Sequence, residues 1–271
     1  MIGFLNIAIP ALYALTVWTY GKAFFSDVPW AQEAKTKLLI LVLATHIAYL
    51  LSRTAAFNHP PVTTVWEIFT VLAFSIAVTY LIIEIRSSRK ETGYFILNMA
   101  LFFQLGSSLF IKETPLVPEV LRNNLFGLHV AAALLGYSAI TISAVYGFLY
   151  LMLYHEIKAS RFGVIYRKLP SLESLEQMAV TAVALAFVLL GMAMVVGFIW
   201  LPQTLLHFSY ADPKLIGTFI IWLIYGFAIV AKRNGQWKGR KVMIMAICGF
   251  AISIFSMTVV NMFFSGFHNF Y

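Results

Sequence analysis

Eight long apolar segments most constrain the fold of this 271-residue chain. A helix needs about 20 consecutive apolar residues to cross the hydrocarbon core of a bilayer. The segments are too long for barrel strands and lack the alternation of apolar and polar residues that barrel strands show. We therefore predict an all-α polytopic membrane protein that forms a single domain over residues 1–271. The expected transmembrane helices cover about 2–25, 36–57, 62–85, 93–111, 124–154, 178–201, 215–231 and 242–267.

Composition agrees with this prediction and excludes several functions. Of the residues, 61% are apolar and 11% charged, whereas a soluble domain has about half apolar and a quarter charged. Cys248 is the only cysteine, so the chain has no disulfide, no redox-active cysteine pair and no motif for covalent haem attachment. The first apolar segment begins at Met1 with no basic region before it, and we expect it to be retained rather than cleaved.

The basic residues predict the orientation of the helices. Fifteen of the 19 Lys and Arg residues fall in the first, third, fifth and seventh connections, and only Arg53, Lys112, Arg122 and Lys214 fall on the other side. The positive-inside rule then places the odd-numbered connections in the cytoplasm and both termini outside. After the acidic residues are counted, the inner side carries the whole net charge of +8. Orientation therefore explains the charge, and we predict no nucleic-acid partner.

Histidines mark the candidate sites. His59, His129, His207 and His268 fall on the predicted outer side, and His155 lies at the inner end of the fifth segment. His129 and His268 lie at the outer ends of long helices, where two imidazoles with aromatic neighbours suit haem iron. Zinc and copper also accept imidazole ligands, so residue type alone leaves the metal open.

Two ionisable residues fall inside predicted helices. His46 is near the middle of the second helix, where a polar ionisable group is costly and is a candidate for function. A hydrogen bond to a neighbouring helix is the alternative for His46. Glu67 lies about five residues into the third helix, and we expect it to pair with Arg53, to orient a histidine, to form part of a site or simply to reach up to the membrane interface. At the start of the sixth helix, Ser174 and Gln177 fit a capping box.

From about residue 42 to its end, the chain resembles a family of membrane haem-handling proteins of cytochrome c assembly, the CcsA/ResC and HemX-like group. The order and spacing of several stretches carry the resemblance, beginning with a helix that contains His46. The other stretches are Pro61–Glu67, Phe126–His129, Tyr146–Leu151, Leu169–Glu173, Asp212–Lys214, Ile221–Tyr225, Trp237–Lys241 and Val260–His268.

The resemblance implies that haem is held non-covalently, as haem b, at the outer face by His129 and His268. It adds His46, Glu67, Phe208, Tyr210 and Asp212 as candidate haem-binding residues. The family's tryptophan-rich outer loop corresponds here to residues 205–212 and retains only its final aspartate, Asp212, with Phe208 and Tyr210 as candidate replacements for the tryptophans. Val230 stands at or near the position of the family's second transmembrane histidine.

The function implied by the resemblance is cytochrome c maturation, with haem presented to apocytochrome c from the outer face of the cytoplasmic membrane. A second membrane subunit with a large external domain is the expected partner, because the outer loops of this chain are short. The resemblance leaves open whether the chain is a non-covalent subunit of a holocytochrome c synthase, or haem lyase. The alternative is a HemX-like regulator or scaffold of haem and tetrapyrrole synthesis, which would act through basic inner loops. A transporter is a third candidate, but the chain shows neither inverted repeats nor paired broken helices.

Overall fold

The computed structural model describes residues 1–86, 90–112, 124–204, 209, 211–235, 237, 239–260 and 263. These residues form nine α-helices and, in the described part of the chain, no strand. The helices are α1 (Ile2–Phe25), α2 (Pro29–Phe57), α3 (Val65–Arg86), α4 (Gly93–Phe110), α5 (Asn124–Lys158), α6 (Val164–Lys168), α7 (Leu172–Thr204), α8 (Pro213–Arg233) and α9 (Arg240–Phe255). A π-helical turn, Ser256–Val260, continues α9.

Eight of these helices, all except the five-residue α6, are long and apolar enough to span a membrane. The predicted all-α fold with eight membrane helices is therefore confirmed. The placement of both termini on the outer side stays a prediction. Of the last predicted segment, residues 261, 262 and 264–267 lie outside the described residues.

Two helices begin earlier than the apolar pattern predicts. The second begins at Pro29 rather than near residue 36, because proline is favoured in the first helical turn, where its missing N–H costs nothing. The predicted capping box of Ser174 and Gln177 is wrong, since α7 already begins at Leu172. Ser171 caps it instead, and its hydroxyl accepts a hydrogen bond of 3.3 Å from the Ser174 amide.

The chain divides into two compact units. The first unit combines Met1–Val117 with Ser160–Pro170, and the second combines Pro118–Ala159 with Ser171–Tyr271. The first unit therefore holds α1 to α4 and the short α6, and the second holds α5, α7, α8 and α9. The single domain over residues 1–271 stays a prediction.

The core of the first unit is aromatic and polar. Helix α1 packs on α2 and α4, and α3 packs on α4. Tyr20 and Tyr80 meet edge to face with ring centroids 5.8 Å apart, and Phe69 and Phe103 do the same at 5.2 Å. Gly93 begins α4 directly against the two tyrosines, and any side chain there would overlap them.

In the second unit, α5 and α7 pack closely along a series of small residues. Four buried alanines lie on this face of α7 at intervals of three, four and seven residues, with the buried Leu190 in the longest interval, and small residues let the backbones of membrane helices approach closely. From the other side, a Cβ atom at Gly136 of α5 would lie 3.0 Å from Leu190. The alanines of the α7 face are Ala179, Ala182, Ala186 and Ala193.

Candidate functional site

His129 lies in the second turn of α5 and is held by α7. Its Nδ1 atom is 2.8 Å from the carbonyl oxygen of Ala193. Because a carbonyl only accepts hydrogen bonds, Nδ1 carries the proton and donates it. The Nε2 atom then carries the lone pair, and within the described part of the chain it makes no hydrogen bond. A metal-binding imidazole in proteins commonly has this arrangement.

The imidazole has room to reach α7 because Gly197 has no side chain. A Cβ atom at Gly197 would lie 3.0 Å from Nδ1 of His129 and 3.1 Å from Cε1. Beside this contact, Phe126 of α5 packs on the buried Trp200 of α7, with ring centroids 5.3 Å apart. The imidazole is thus fixed by a backbone carbonyl and lies one turn of α5 after Phe126, the aromatic partner of Trp200.

Asp212 caps the helix that follows the outer loop. The residue is buried, and its Oδ1 atom accepts a hydrogen bond of 2.8 Å from the Lys214 amide at the first turn of α8. The other residues predicted to bind haem on this side, His268, Phe208 and Tyr210, lie outside the described residues, as does His207. Their roles stay predictions.

His46 is fully buried in the first unit, and both of its ring nitrogens have partners. Its Nδ1 atom is 3.1 Å from the Tyr13 hydroxyl, and its Nε2 atom is 2.9 Å from the Thr70 hydroxyl. The single proton of Thr70 is donated to Oε1 of Gln104 at 2.8 Å, so Thr70 accepts from Nε2 and Tyr13 donates to Nδ1. A bond from His46 to iron would require one of these hydrogen bonds to break.

The hydrogen-bonded chain around His46 joins four helices. From Gln104 it continues to the Ser108 hydroxyl at 3.0 Å, and Asn6 of α1 donates to the Ser108 carbonyl at 3.1 Å. Tyr49, one turn after His46, donates to Asn6 at 3.1 Å. The side chains of this network thus satisfy the ring nitrogens of His46, which is the alternative that the sequence offered for this residue.

Glu67 pairs with Arg53, as one of the sequence-based options predicted. Its Oε1 atom is 2.9 Å from Nη2 of Arg53. Its Oε2 atom accepts hydrogen bonds from the backbone amide of Thr63 at 3.0 Å and from the Thr63 hydroxyl at 2.7 Å. Arg53 also donates to the Lys112 carbonyl at 3.3 Å. The carboxylate therefore ties the start of α3 to α2.

The predicted residues thus fall into two separate groups, with His46 and Glu67 in the first unit and His129 and Asp212 in the second. Of the remaining histidines, His59 is buried with its Nδ1 atom 2.9 Å from the Pro60 carbonyl, and His155 is exposed at the end of α5. Among the described residues, no three His, Cys, Asp or Glu side chains come together as a metal site.

Glu84 lies near the inner end of the predicted third helix and was not singled out by the sequence, but this residue is only 2% exposed. Tyr20 donates a hydrogen bond of 2.6 Å to its Oε2 atom, and Thr36 donates to Oε1. Ile76, Tyr80 and Glu84 recur every four residues, and all three are buried, so they share one face of α3. This spacing was the available signal that Glu84 belongs to the core.

The sequence is similar to known proteins over most of its length. A sequence model of the family described as "Cytochrome C assembly protein" matches residues 37–268. The protein named HemX of Brevibacillus brevis is 26% identical, with 90% of this chain and 94% of the relative covered. The cytochrome c biogenesis protein CcsA of Pyropia yezoensis is 22% identical, with 96% and 93% covered. HemX of Bacillus subtilis (strain 168) is 24% identical, with 87% and 86% covered.

Proposed function

The chain belongs to the cytochrome c assembly protein family, and we propose that it handles haem in cytochrome c maturation. In this proposal it binds haem b non-covalently at the outer end of α5 and presents it to apocytochrome c. The observation that carries the proposal is the hydrogen bond from Nδ1 of His129 to the Ala193 carbonyl, which leaves Nε2 as the ligand atom.

His129 and His268 are the proposed axial ligands. The described part of the site fits haem, since an oriented imidazole lies beside the aromatic pair of Phe126 and Trp200. Phe208 and Tyr210 are the proposed porphyrin contacts, and Asp212 fixes the end of their loop by capping α8. Glu67 has a positioning role in the first unit through Arg53.

The protein supplies position and orientation rather than covalent catalysis. Thioether attachment joins thiols of the apocytochrome to the vinyl groups of haem, and the reactive carbons belong to the haem. In the proposal, His129 presents Nε2 from the closely packed helices α5 and α7. A second membrane subunit with an external domain is part of the proposal, as is residence in the cytoplasmic membrane with both termini outside.

His46 is a second candidate for haem contact, in the first unit. It belongs to the helix that resembles the histidine-bearing helix of the family, but Tyr13 and Thr70 occupy its two ring nitrogens. We therefore assign the outer site to His129, and haem contact by His46 would require the side chain to leave Thr70 or Tyr13.

The regulator hypothesis predicts that basic inner residues contact a cytoplasmic partner. Two relatives are named HemX, and that name states no activity. One of the basic residues concerned, Lys168, forms an ion pair with Asp27 of the same chain. This intramolecular contact favours haem handling as the main proposal.

Haem spectroscopy of the purified protein tests the proposal. We expect the wild-type chain in detergent to bind added haem with a Soret band, and His129→Ala to lose most of that absorbance. His155→Ala is the matched control, because His155 is an exposed histidine at the opposite end of the same helix. Equal Soret bands in His129→Ala and wild type would overturn the assignment of the ligand.

A further inference from the structure

A polar cavity of about 430 Å³ lies in the first unit, at the end of α1. It is bounded by the first, third and fifth connections, which contribute Asp27, Lys90 with Glu91, and Arg167 with Lys168. Lys35 of α2 also lines the cavity. The three connections that bound the cavity are all predicted to face the cytoplasm. Its volume lies within the range of about 300–1,000 Å³ found for small-molecule sites.

Positive charge is in excess around this cavity. Four cations and two carboxylates line it, and one carboxylate, Asp27, is already paired with Lys168. Glu84 lies behind Tyr20 and partly offsets Lys35, but Tyr20 and Thr36 satisfy its oxygens. Within the described part of the chain, Lys90 and Arg167 make no ion pair. The cavity therefore attracts an anion.

Lys35 provides a buried donor within the cavity. This lysine is 6% exposed, and its ammonium donates one hydrogen bond, 2.7 Å long, to Gln32. It also lies 5.7 Å from the centroid of the Tyr20 ring. An ammonium has three N–H groups, so two remain for a ligand. Lys90 and Arg167 are exposed. The cavity therefore offers two cations at the surface and the buried ammonium of Lys35.

We propose that this cavity binds the phosphate group of an anionic ligand. Seven of its 11 lining side chains are charged or carry an amide, and only Tyr20, Ala23, Phe24 and Tyr94 are apolar or aromatic. A porphyrin needs flat apolar walls, whereas a phosphate needs several converging cationic donors. Basic pockets between membrane helices on the cytoplasmic side bind acidic lipid headgroups. The phosphate therefore comes from an anionic phospholipid or from free phosphate.

Lysine labelling of the wild-type chain tests the proposal without a variant. Purified protein is treated with an amine-reactive reagent in the presence of dihexanoyl phosphatidylglycerol, dihexanoyl phosphatidylcholine or inorganic phosphate. We expect phosphatidylglycerol to lower labelling of Lys90 at least threefold and to leave the exposed Lys158 unchanged. Protection by inorganic phosphate as well identifies free phosphate as a ligand, and protection by the lipid alone identifies the headgroup. Equal labelling of Lys90 in all conditions would overturn the proposal.

Variants give a second, independent readout. Lys90→Gln combined with Arg167→Gln should lower retention of phosphatidylglycerol in native mass spectrometry about 25-fold, since each cation near an anionic headgroup is worth about fivefold in affinity. Arg161→Gln is the matched control, because Arg161 is an exposed arginine of the same connection that does not line the cavity. Retention that falls equally in the control contradicts a specific site. Haem binding at His129 should be unchanged in all three substitutions. A failure of the phosphate proposal can therefore be distinguished from a failure of the proposed function.

Discussion

Arg53 and Glu67 form an ion pair of 2.9 Å in the core of the first unit, with side chains that are 3% and 0% exposed. Arg53→Ala leaves the carboxylate buried without its cation, and loss of one partner of a buried pair costs about 3–5 kcal/mol. We expect a much lower melting temperature in detergent, measured by differential scanning fluorimetry.

A matched control and a double variant separate pairing from general damage. Arg233→Ala removes an exposed arginine and should leave the melting temperature within error. Arg53→Met combined with Glu67→Met should be more stable than Arg53→Ala, because no buried charge is left unpaired. If the double variant is the less stable protein, the charge pair is not the source of the effect.

Gly197→Ala tests whether α7 positions the imidazole of His129. The new Cβ atom would lie 3.0 Å from Nδ1, so the ring must move and the hydrogen bond to Ala193 must weaken. We expect at least a threefold loss of bound haem, measured as the pyridine haemochrome, with an unchanged or higher melting temperature, since alanine stabilises a helix by about 1 kcal/mol over glycine. Gly127→Ala is the control, because its Cβ would meet no atom within 4 Å. The same haem content in both variants would contradict the positioning role.

Thr70→Val tests the buried hydrogen-bonded chain around His46. The substitution keeps the shape of the side chain but removes the acceptor of Nε2 of His46 and the donor to Oε1 of Gln104. A buried unsatisfied group costs about 1–3 kcal/mol, and a matching decrease in thermal stability is expected. Thr45→Val should have little effect, because the Thr45 hydroxyl bonds only the Leu41 carbonyl of its own helix. Equal effects of the two substitutions would contradict a contribution to stability from the hydrogen bonds around His46.

Cysteine labelling tests the predicted orientation. In a Cys248→Ala background, Ala211→Cys should react with a membrane-impermeant maleimide in intact cells. Asn234→Cys should react only after the cells are permeabilised, since the positive-inside rule places the seventh connection in the cytoplasm. Both positions are exposed, so a failure to react reports the side of the membrane. The reverse pattern would invert the topology and place the phosphate cavity outside.

The helices were predictable from the sequence because a membrane-spanning segment must form its backbone hydrogen bonds within itself, as a helix does. The apolar segments mark where the chain crosses the membrane. The ends of helices were less predictable. Ser171 and Pro29 act through local capping chemistry, and both lie outside the apolar segments that guided the prediction.

The partners of buried polar groups were the least predictable part of the candidate site. Glu67 had four options in the sequence, and only the packing of α2 against α3 selects Arg53. The partner of His129 is a backbone carbonyl, which no pattern of side chains identifies. Glu84 differs, since its spacing of four residues from the buried Tyr80 places it on a core face of α3, although its partners Tyr20 and Thr36 come from other helices.

The close contact of α5 with α7 has a consequence for how the outer loop can change over evolution. The buried alanines of α7 and Gly136 of α5 let these helices approach closely, so the spacing of His129 and the Ala193 carbonyl depends on the helix pair and not on the residues that follow Thr204. Substitutions in that loop therefore need not move the imidazole. A chain of this family that lacks tryptophans in its outer loop can keep Nε2 of His129, the proposed ligand atom, in the same place.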